Sequence, residues 1–429
     1  MKKISLKRIA FIIYAVVIIA MAFLFFTNDF GLVDIRKTAV IIGAGIDLTD
    51  DGVSVTAQVA IPQPSENGES TQYIEVEGEG VTVADALNEI NKKTGFYPKL
   101  VFCKLLILGE SCSDGNIFEI LDYFYRDDYT QLTPVIAMCK GSAGQLLASK
   151  MRFGNTATVS IERLLSDEAK KSGNVSTVNL KVIGIHDHSP SNACYMPYIR
   201  SQSQSAEDGT SSGGQSGGSS SGSGSSGDSG GSSGGQSSGG SSSGQGSGGS
   251  QSGSDSGGGG DSPQEFLCDR TAIFRDGMFA GVLTEEQTFA LNLIKNNVRH
   301  IFVPCQAEGD TYTLGMRNCR GSVSVRVENG VPKVRISFDA VVQISDVDRA
   351  EDAESASDGV VPDTVLAGGV EAIKNDFSDL ISALRAADCD VLELKTLLYR
   401  FNYPYFQQFA DSILSDAEVS FDINLRSAG

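Results

Sequence analysis

The chain has 429 residues, enough for two or three domains with cores of their own. Its net charge of -19 and sequence pI of about 4.6 make an acidic body that repels phosphate, so no nucleic-acid partner is expected. None of its eight Cys forms C-x-x-C, which removes zinc-ribbon and thioredoxin-type readings; the even count permits disulfides outside the cytoplasm, while Cys103 and Cys139, in apolar runs, read equally as buried thiols.

Lys2, Lys3, Lys7 and Arg8 stand ahead of an uncharged apolar run over residues 9–26. Ile9, Phe11, Ile12, Ile13, Val16, Val17, Ile18, Ile19, Phe23, Leu24, Phe25 and Phe26 supply its bulk. As a helix, roughly 18 residues rise ~27 Å, about the thickness of a bilayer's hydrocarbon core. A helix also satisfies its own backbone in lipid. The basic cluster predicts a cytoplasmic tail over 1–8, a transmembrane anchor over 9–28 seated in the lipid bilayer, and an extracytoplasmic body. Ala20-Met21-Ala22 has the form of a signal cleavage site, yet the run stays apolar past it, which favours an anchor. The first Cys is Cys103, too far away to carry a lipid beside the run.

Residues 34–200 alternate between strand and helix signals. Thr38 to Ile46 is a short apolar run, and Val53, Val55, Ala57, Val59 and Ile61 follow with strand period. Asp50-Asp51-Gly52 between them predicts a hairpin turn. Ile74 and Val76 suggest a third strand. Thr82 is placed to cap a helix whose Val83, Leu87 and Ile90 share a face. Leu100 to Leu108 predicts a buried strand. Asp114 is expected to cap a second helix carrying Ile117, Ile120, Leu121 and Phe124 on one side, and Leu132 to Met138 predicts another strand.

From 201 to 262 the sequence reduces to Ser, Gly and Gln with a few Asp. Such a tract has too few apolar side chains to offset the entropy of ordering, which predicts a disordered linker or surface insertion. A flexible coil of about 60 residues has an end-to-end distance of ~40–45 Å. Residues 263–429 then repeat the earlier style. Thr271 to Phe274 predicts a strand, Thr284-Glu285-Glu286-Gln287 a capping box, and Val334, Ile336, Phe338, Ala340, Val342 and Ile344 a half-buried strand. Val370, Ile373, Phe377, Leu380, Ile381 and Leu384 keep helical spacing, and Val419, Phe421 and Ile423 close the chain as a strand. The expected fold is α+β and multi-domain, with mixed, mostly antiparallel sheets, packed helices and one preceding transmembrane helix.

No catalytic or cofactor pattern emerges. Gly43-Ala44-Gly45 follows a strand, but Leu48 stands where a dinucleotide fingerprint needs its third glycine. Asp47, Asp50 and Asp51 lack the other ligands of a calcium loop and read as an exposed acidic turn. His186-Asp187-His188 would put two imidazoles on one face of an extended chain, with no third metal ligand nearby. Neither a G-x-S-x-G elbow outside the low-complexity tract nor H-E-x-x-H occurs. No enzyme, cofactor or metal is therefore expected. The residues alone leave open an anchored binding or adhesion module and an anchored cell-wall hydrolase.

Eight segments follow one another in a recognisable order. They are TAVIIGAGIDL (Thr38–Leu48), EVEGEGVTVADALNEI (Glu75–Ile90), CKLLILGES (Cys103–Ser111), ILDYFYRDD (Ile120–Asp128), CKGSAGQLL (Cys139–Leu147), MPYI (Met196–Ile199), TAIFRDGMFAGVLTEEQT (Thr271–Thr288) and the close from Ile423 to Gly429. Together they resemble the Ger(x)C family of spore germination proteins, the C subunits of nutrient germinant receptors. The resemblance marks Gly45, Asp47, Gly80, Ala86, Gly109, Glu110, Arg126, Pro197, Phe274, Gly281, Leu283, Arg426 and Gly429 as motif positions, structural or partner-contacting in role. It implies a non-enzymatic subunit beside A and B membrane subunits in the spore inner membrane, where the assembly senses small nutrients. It does not imply that this chain binds the nutrient. The family is usually held by a lipobox Cys, whereas this chain offers an apolar helix; the Ser/Gly tract is not a family feature, and Lys395 to Gln408 lacks the family's Asp-containing pattern. A Glu110–Arg126 ion pair is conceivable, and Arg126 suits the negative end of a helix dipole.

Overall fold

A computed structural model describes residues 6–27, 38–65, 68–149, 156–166, 169, 171–201, 265–348 and 360–428. Residues 202–262 of the expected linker, and Gly429, lie outside them. Helix α1 (Leu6–Thr27) opens the chain. Among the described residues no helix is long and apolar enough to cross a membrane. Helix α1 extends over 22 residues, ~33 Å of rise.

The body begins with a meander, β1 (Thr38–Thr49), β2 (Gly52–Ser65) and β3 (Gly68–Gly80). Asp50 and Asp51 turn β1 into β2 and Thr49 pairs with Gly52, so the predicted hairpin forms. Next comes α2 (Val83–Thr94). Thr82 caps it by accepting from the Asp85 N–H, and Gly95 ends it at φ 71. Strands β4 (Tyr97–Lys99) and β5 (Leu105–Leu108) replace the one strand expected over Leu100 to Leu108, because residues 100–104 make a turn that shifts the chain along β1. A 3₁₀ turn, Glu110–Asp114, precedes α3 (Ile117–Arg126). Asn116, not Asp114, caps α3, accepting from the Phe118 N–H; Asp114 is already spent in the 3₁₀ turn. Then come β6 (Val135–Cys139), α4 (Ala143–Ala148), α5 (Ala157–Leu164), β7 (Val178–Asn179), α6 (Leu180–Asp187) and β8 (Ala193–Ser201). The segment around His186 is therefore helix, not extended chain, and His186 is buried while His188 is exposed.

After the tract come β9 (Phe266–Arg275), β10 (Met278–Leu283) and α7 (Glu285–Ile294), whose Thr284 and Gln287 close a full capping box. The remainder is β11 (His300–Ala307), β12 (Asp310–Glu328), β13 (Val331–Asp348), α8 (Asp363–Ala386), α9 (Leu394–Phe401), α10 (Tyr403–Phe409), α11 (Ile413–Asp416) and β14 (Glu418–Ser427).

Two sheets result. The larger runs β10-β9-β8-β6-β5-β1-β2-β3, with β4 added to β1 and β7 to β6. Its centre, β1, β5, β6 and β8, is parallel, and its two wings are antiparallel. The expectation of largely antiparallel sheets fails at this centre, since parallel strands covered on both faces carry no alternation to read. Leu105, Leu106, Ile107 and Leu108 are all fully buried. Leu105 and Ile107 pack with Leu146, Leu147 and Ile161 of α4 and α5, while Leu106 and Leu108 face the core that holds Ile90, Leu121 and Ile183 of α2, α3 and α6. Helices thus cover both faces.

Ser201 pairs with Phe266, so the Ser/Gly tract joins two neighbouring antiparallel strands. Residues 266–283, placed after the linker in sequence, belong to the first sheet. The second sheet, β11-β12-β13-β14, begins beyond α7, with β13 and β14 parallel. Its inner residues Val334, Ile336, Phe338, Ala340 and Val342 are buried, and Phe338 meets Phe377 of α8 edge to face at 6.3 Å. Each such buried aromatic or aliphatic side chain contributes roughly 1.5–3 kcal/mol.

Candidate functional site

The C-terminal ends of β1, β5 and β6 converge on one polar knot, where ligands of open parallel sheets commonly bind. Asp47, near the end of β1, lies at its centre. Its carboxylate accepts from the Ser142 hydroxyl at 2.9 Å, from the Ala143 N–H at 2.9 Å and from the Gly144 N–H at 3.0 Å. Asp47 therefore fills the N-terminus of α4 with negative charge, satisfying donors that the helix leaves unpaired. Gly109 lies beneath it at the end of β5, where a Cβ would come within 1.8 Å of Asp47 Oδ1. Gly45 faces Ala143 so closely that its Cβ would be 3.0 Å away. Glu110 completes the knot, donating its N–H to the Gly141 carbonyl at 2.8 Å and accepting the Gly141 N–H at 2.9 Å. Leu48 donates its N–H to Ser111 Oγ at 2.8 Å. The motif positions Gly45, Asp47, Gly109 and Glu110 are thereby brought to one place, and Asp50 and Asp51 stay out on the exposed turn.

Its chemistry is that of a clasp. Both carboxylates are engaged by protein donors. The adjacent thiols are buried: burial pushes Cys112 up to about 12, with the Asp47 charge adding to it, and pushes Cys139 well above the ordinary thiol range. Neither is a thiolate nucleophile. Among the described residues no group of three His, Cys, Asp or Glu is placed to hold a metal ion.

The other motif positions are spread through the fold. Gly80 lets α2 lie against β3, since its Cβ would be 2.5 Å from the Ala86 backbone nitrogen. Arg126, at the end of α3 as its charge suits, pairs with Asp122 at 2.6 Å and is 78% exposed. The conceivable Glu110–Arg126 pair does not form, because Glu110 turns to Gly141. Pro197 pairs with Thr271 of β9, one residue before β8 joins β6. Phe274 is fully buried against Phe279, Gly281 bulges β10 at φ 150, and Leu283 is buried at the end of β10. Arg426 is exposed on the outer face of the second sheet, in a shallow depression with Asn318, Arg320 and Asp339.

A second polar cluster, absent from the motif set, ties the two sheets together. Asp390 is 2% exposed just before α9. Its carboxylate accepts the Leu394 and Lys395 N–H groups and the Ser191 hydroxyl, each at 2.8 Å; burial pushes its pKa up. Ser191, between α6 and β8, also lies 3.0 Å from Thr396 Oγ1. Alongside, Lys295 pairs with Glu393 at 2.6 Å. Buried His186 faces this pair, and its Nδ1 has no hydrogen-bond partner. Burial, the largest cause, lowers the His186 pKa; Glu393 opposes and Lys295 adds. Cys389 Sγ donates to the Phe274 carbonyl at 3.3 Å, and Arg275 pairs with Asp388 at 2.5 Å. The sequence carries one signal for this joint, an acid four residues ahead of Leu394 at the start of an apolar helix. All eight Cys are buried free thiols, which settles the open choice between disulfides and buried thiols.

Comparison with known proteins matches the two halves of the chain separately. The spore germination protein N-terminal domain matches residues 32–201, and the spore germination B3/GerAC-like C-terminal domain matches residues 269–428. The chain is similar to a protein of solved structure described as the crystal structure of the GerBC protein, at 14% identity and a TM-score of 0.48, covering 90% of this chain and 97% of that one. No curated protein matches the chain.

Proposed function

From the premise that this chain belongs to the GerAC-like family of spore germination proteins, we propose that it is the non-enzymatic C subunit of a nutrient germinant receptor. It works beside the A and B membrane subunits at the spore inner membrane, with α1 as its anchor and the folded body outside the cytoplasm. The observation that carries this reading is the pair of family matches, which together account for nearly all the folded body. The geometry agrees with a scaffold. The knot around Asp47 spends its polar groups on internal hydrogen bonds, and the joint around Asp390 binds one sheet to the other. Internal ties of this kind support the reading of the body as a scaffold.

The test is genetic. Deleting the gene in a strain without redundant receptors should leave sporulation intact while abolishing or delaying the response to at least one nutrient. Unchanged germination with every nutrient would overturn the reading. The anchor has its own test, because protease added to intact protoplasts should remove the body if it faces outward, and protection would overturn that orientation.

A further inference from the structure

The end of the large sheet at which its central strands begin, the edge of the body where the chain enters from α1, exposes several aromatic rings. Helix α1 ends at Thr27, and β1 begins at Thr38, paired with Tyr97. Eleven chain steps separate Thr27 from Thr38, so the start of β1 lies within about 40 Å of the end of α1. At that edge Phe96 is 40% exposed, Tyr97 52%, Phe102 60%, Tyr129 50% and Leu132 41%. They come from three segments: the start of β4, the turn before β5 and the loop between α3 and β6. Lys99 gathers two of them, its Nζ lying 3.1 Å from the Tyr129 ring centroid and 5.0 Å from that of Tyr97. Tyr97 and Tyr129, drawn together over Lys99, with other exposed apolar side chains at the same end of the strands, mark an interaction surface. Rings that combine an apolar body with a phenol hydroxyl fit the boundary between headgroups and acyl chains.

We propose that this aromatic edge docks on the outer surface of the same bilayer that holds α1. The inference rests on the anchored reading above. Docking fixes the rotation of the body about its tether and holds the parallel strands against the membrane at their N-terminal ends. The Asp47 knot, at their C-terminal ends, then faces away from the lipid.

The chain contains no Trp, so a single Trp becomes a unique reporter. Phe102→Trp, Phe96→Trp and Phe23→Trp in the full chain, each reconstituted into phosphatidylcholine–phosphatidylglycerol vesicles, would be compared with and without brominated acyl chains. Phe102 and Phe96 are exposed, so a ring of similar shape is tolerated at both. The expected result is quenching of all three, with the two body reporters quenched best by bromines nearest the headgroup and Phe23→Trp best by deeper ones. Quenching of Phe23→Trp alone would overturn the docking and leave the anchor standing. Absence of quenching at every position would overturn both.

Discussion

At the residue scale, Asp47 is the position on which most of the motif geometry depends. Removing its carboxylate in Asp47→Ala leaves the Ala143 and Gly144 N–H groups without their acceptor, which costs about 1–3 kcal/mol for each buried group left unpaired. Gly109→Ala should act by the same route, since its new Cβ displaces Asp47 Oδ1. Urea unfolding checks both, and unchanged midpoints would show that the clasp contributes nothing to stability. Arg126→Ala is the contrast. Its partner Asp122 is on the same exposed helix face, where water screens the pair, so the urea midpoint should stay nearly unchanged. Lost germination signalling at normal abundance would then assign Arg126 to a partner contact. The sequence pattern picked out Gly45, Asp47, Gly109 and Glu110 without showing that they meet. Asp47 and Ser142 are 95 positions apart, and nothing local to either foretells their contact.

At the element scale, legibility followed the exposure of each element. Strand β13 and helix α2 each have one wet face, so alternation and helical spacing could be read directly, while α7, buried all round from Ala290 to Ile294, was legible through its capping box. Strands β5 and β6 have no wet face, and their parallel order depends on crossovers that no short window contains. The tract between β8 and β9 reads from composition alone as linker or insertion, and its flanks, pairing as Ser201 with Phe266, make it an insertion between neighbouring strands. Replacing residues 203–264 with a turn of about five residues should preserve the fold. Loop-closure entropy predicts a gain of up to ~2 kcal/mol in urea unfolding. A loss would mean that the tract makes stabilising contacts. Helix α8 carries a further test. Burial, reinforced by Glu286 and Asp379, raises the pKa of Asp376 to about 6. An acid so raised favours the folded state below its ordinary value, and that contribution is lost as pH rises through about 6. Asp376→Asn should therefore raise the melting temperature at neutral pH and leave it nearly unchanged at pH ~4; a variant that melts lower at neutral pH would contradict the burial argument.

At the scale of the whole molecule, the two sheets are joined at a place rich in titratable groups, and that makes their union sensitive to acid. His186 lies in that joint with Glu393 and Lys295 facing it, and burial holds its pKa below the ordinary His range. The unfolded chain therefore takes up this proton first as pH falls. Its contribution to stability is present above the ordinary His value and is lost as pH falls through the folded value. Glu393 is also shifted downward: Lys295, through charge and hydrogen bond, outweighs the opposing effect of burial, which is the largest single influence. Its loss comes at lower pH. Asp390, shifted upward by burial, works in the opposite direction. Comparing wild type with His186→Gln isolates the imidazole, because the neighbouring acids are present in both. Between about pH 7.5 and 5 the wild-type urea midpoint should fall more steeply than that of the variant. Equal slopes would show that the imidazole carries no proton-linked stability. A steeper fall in wild type would show that the imidazole at the contact between the sheets carries proton-linked stability.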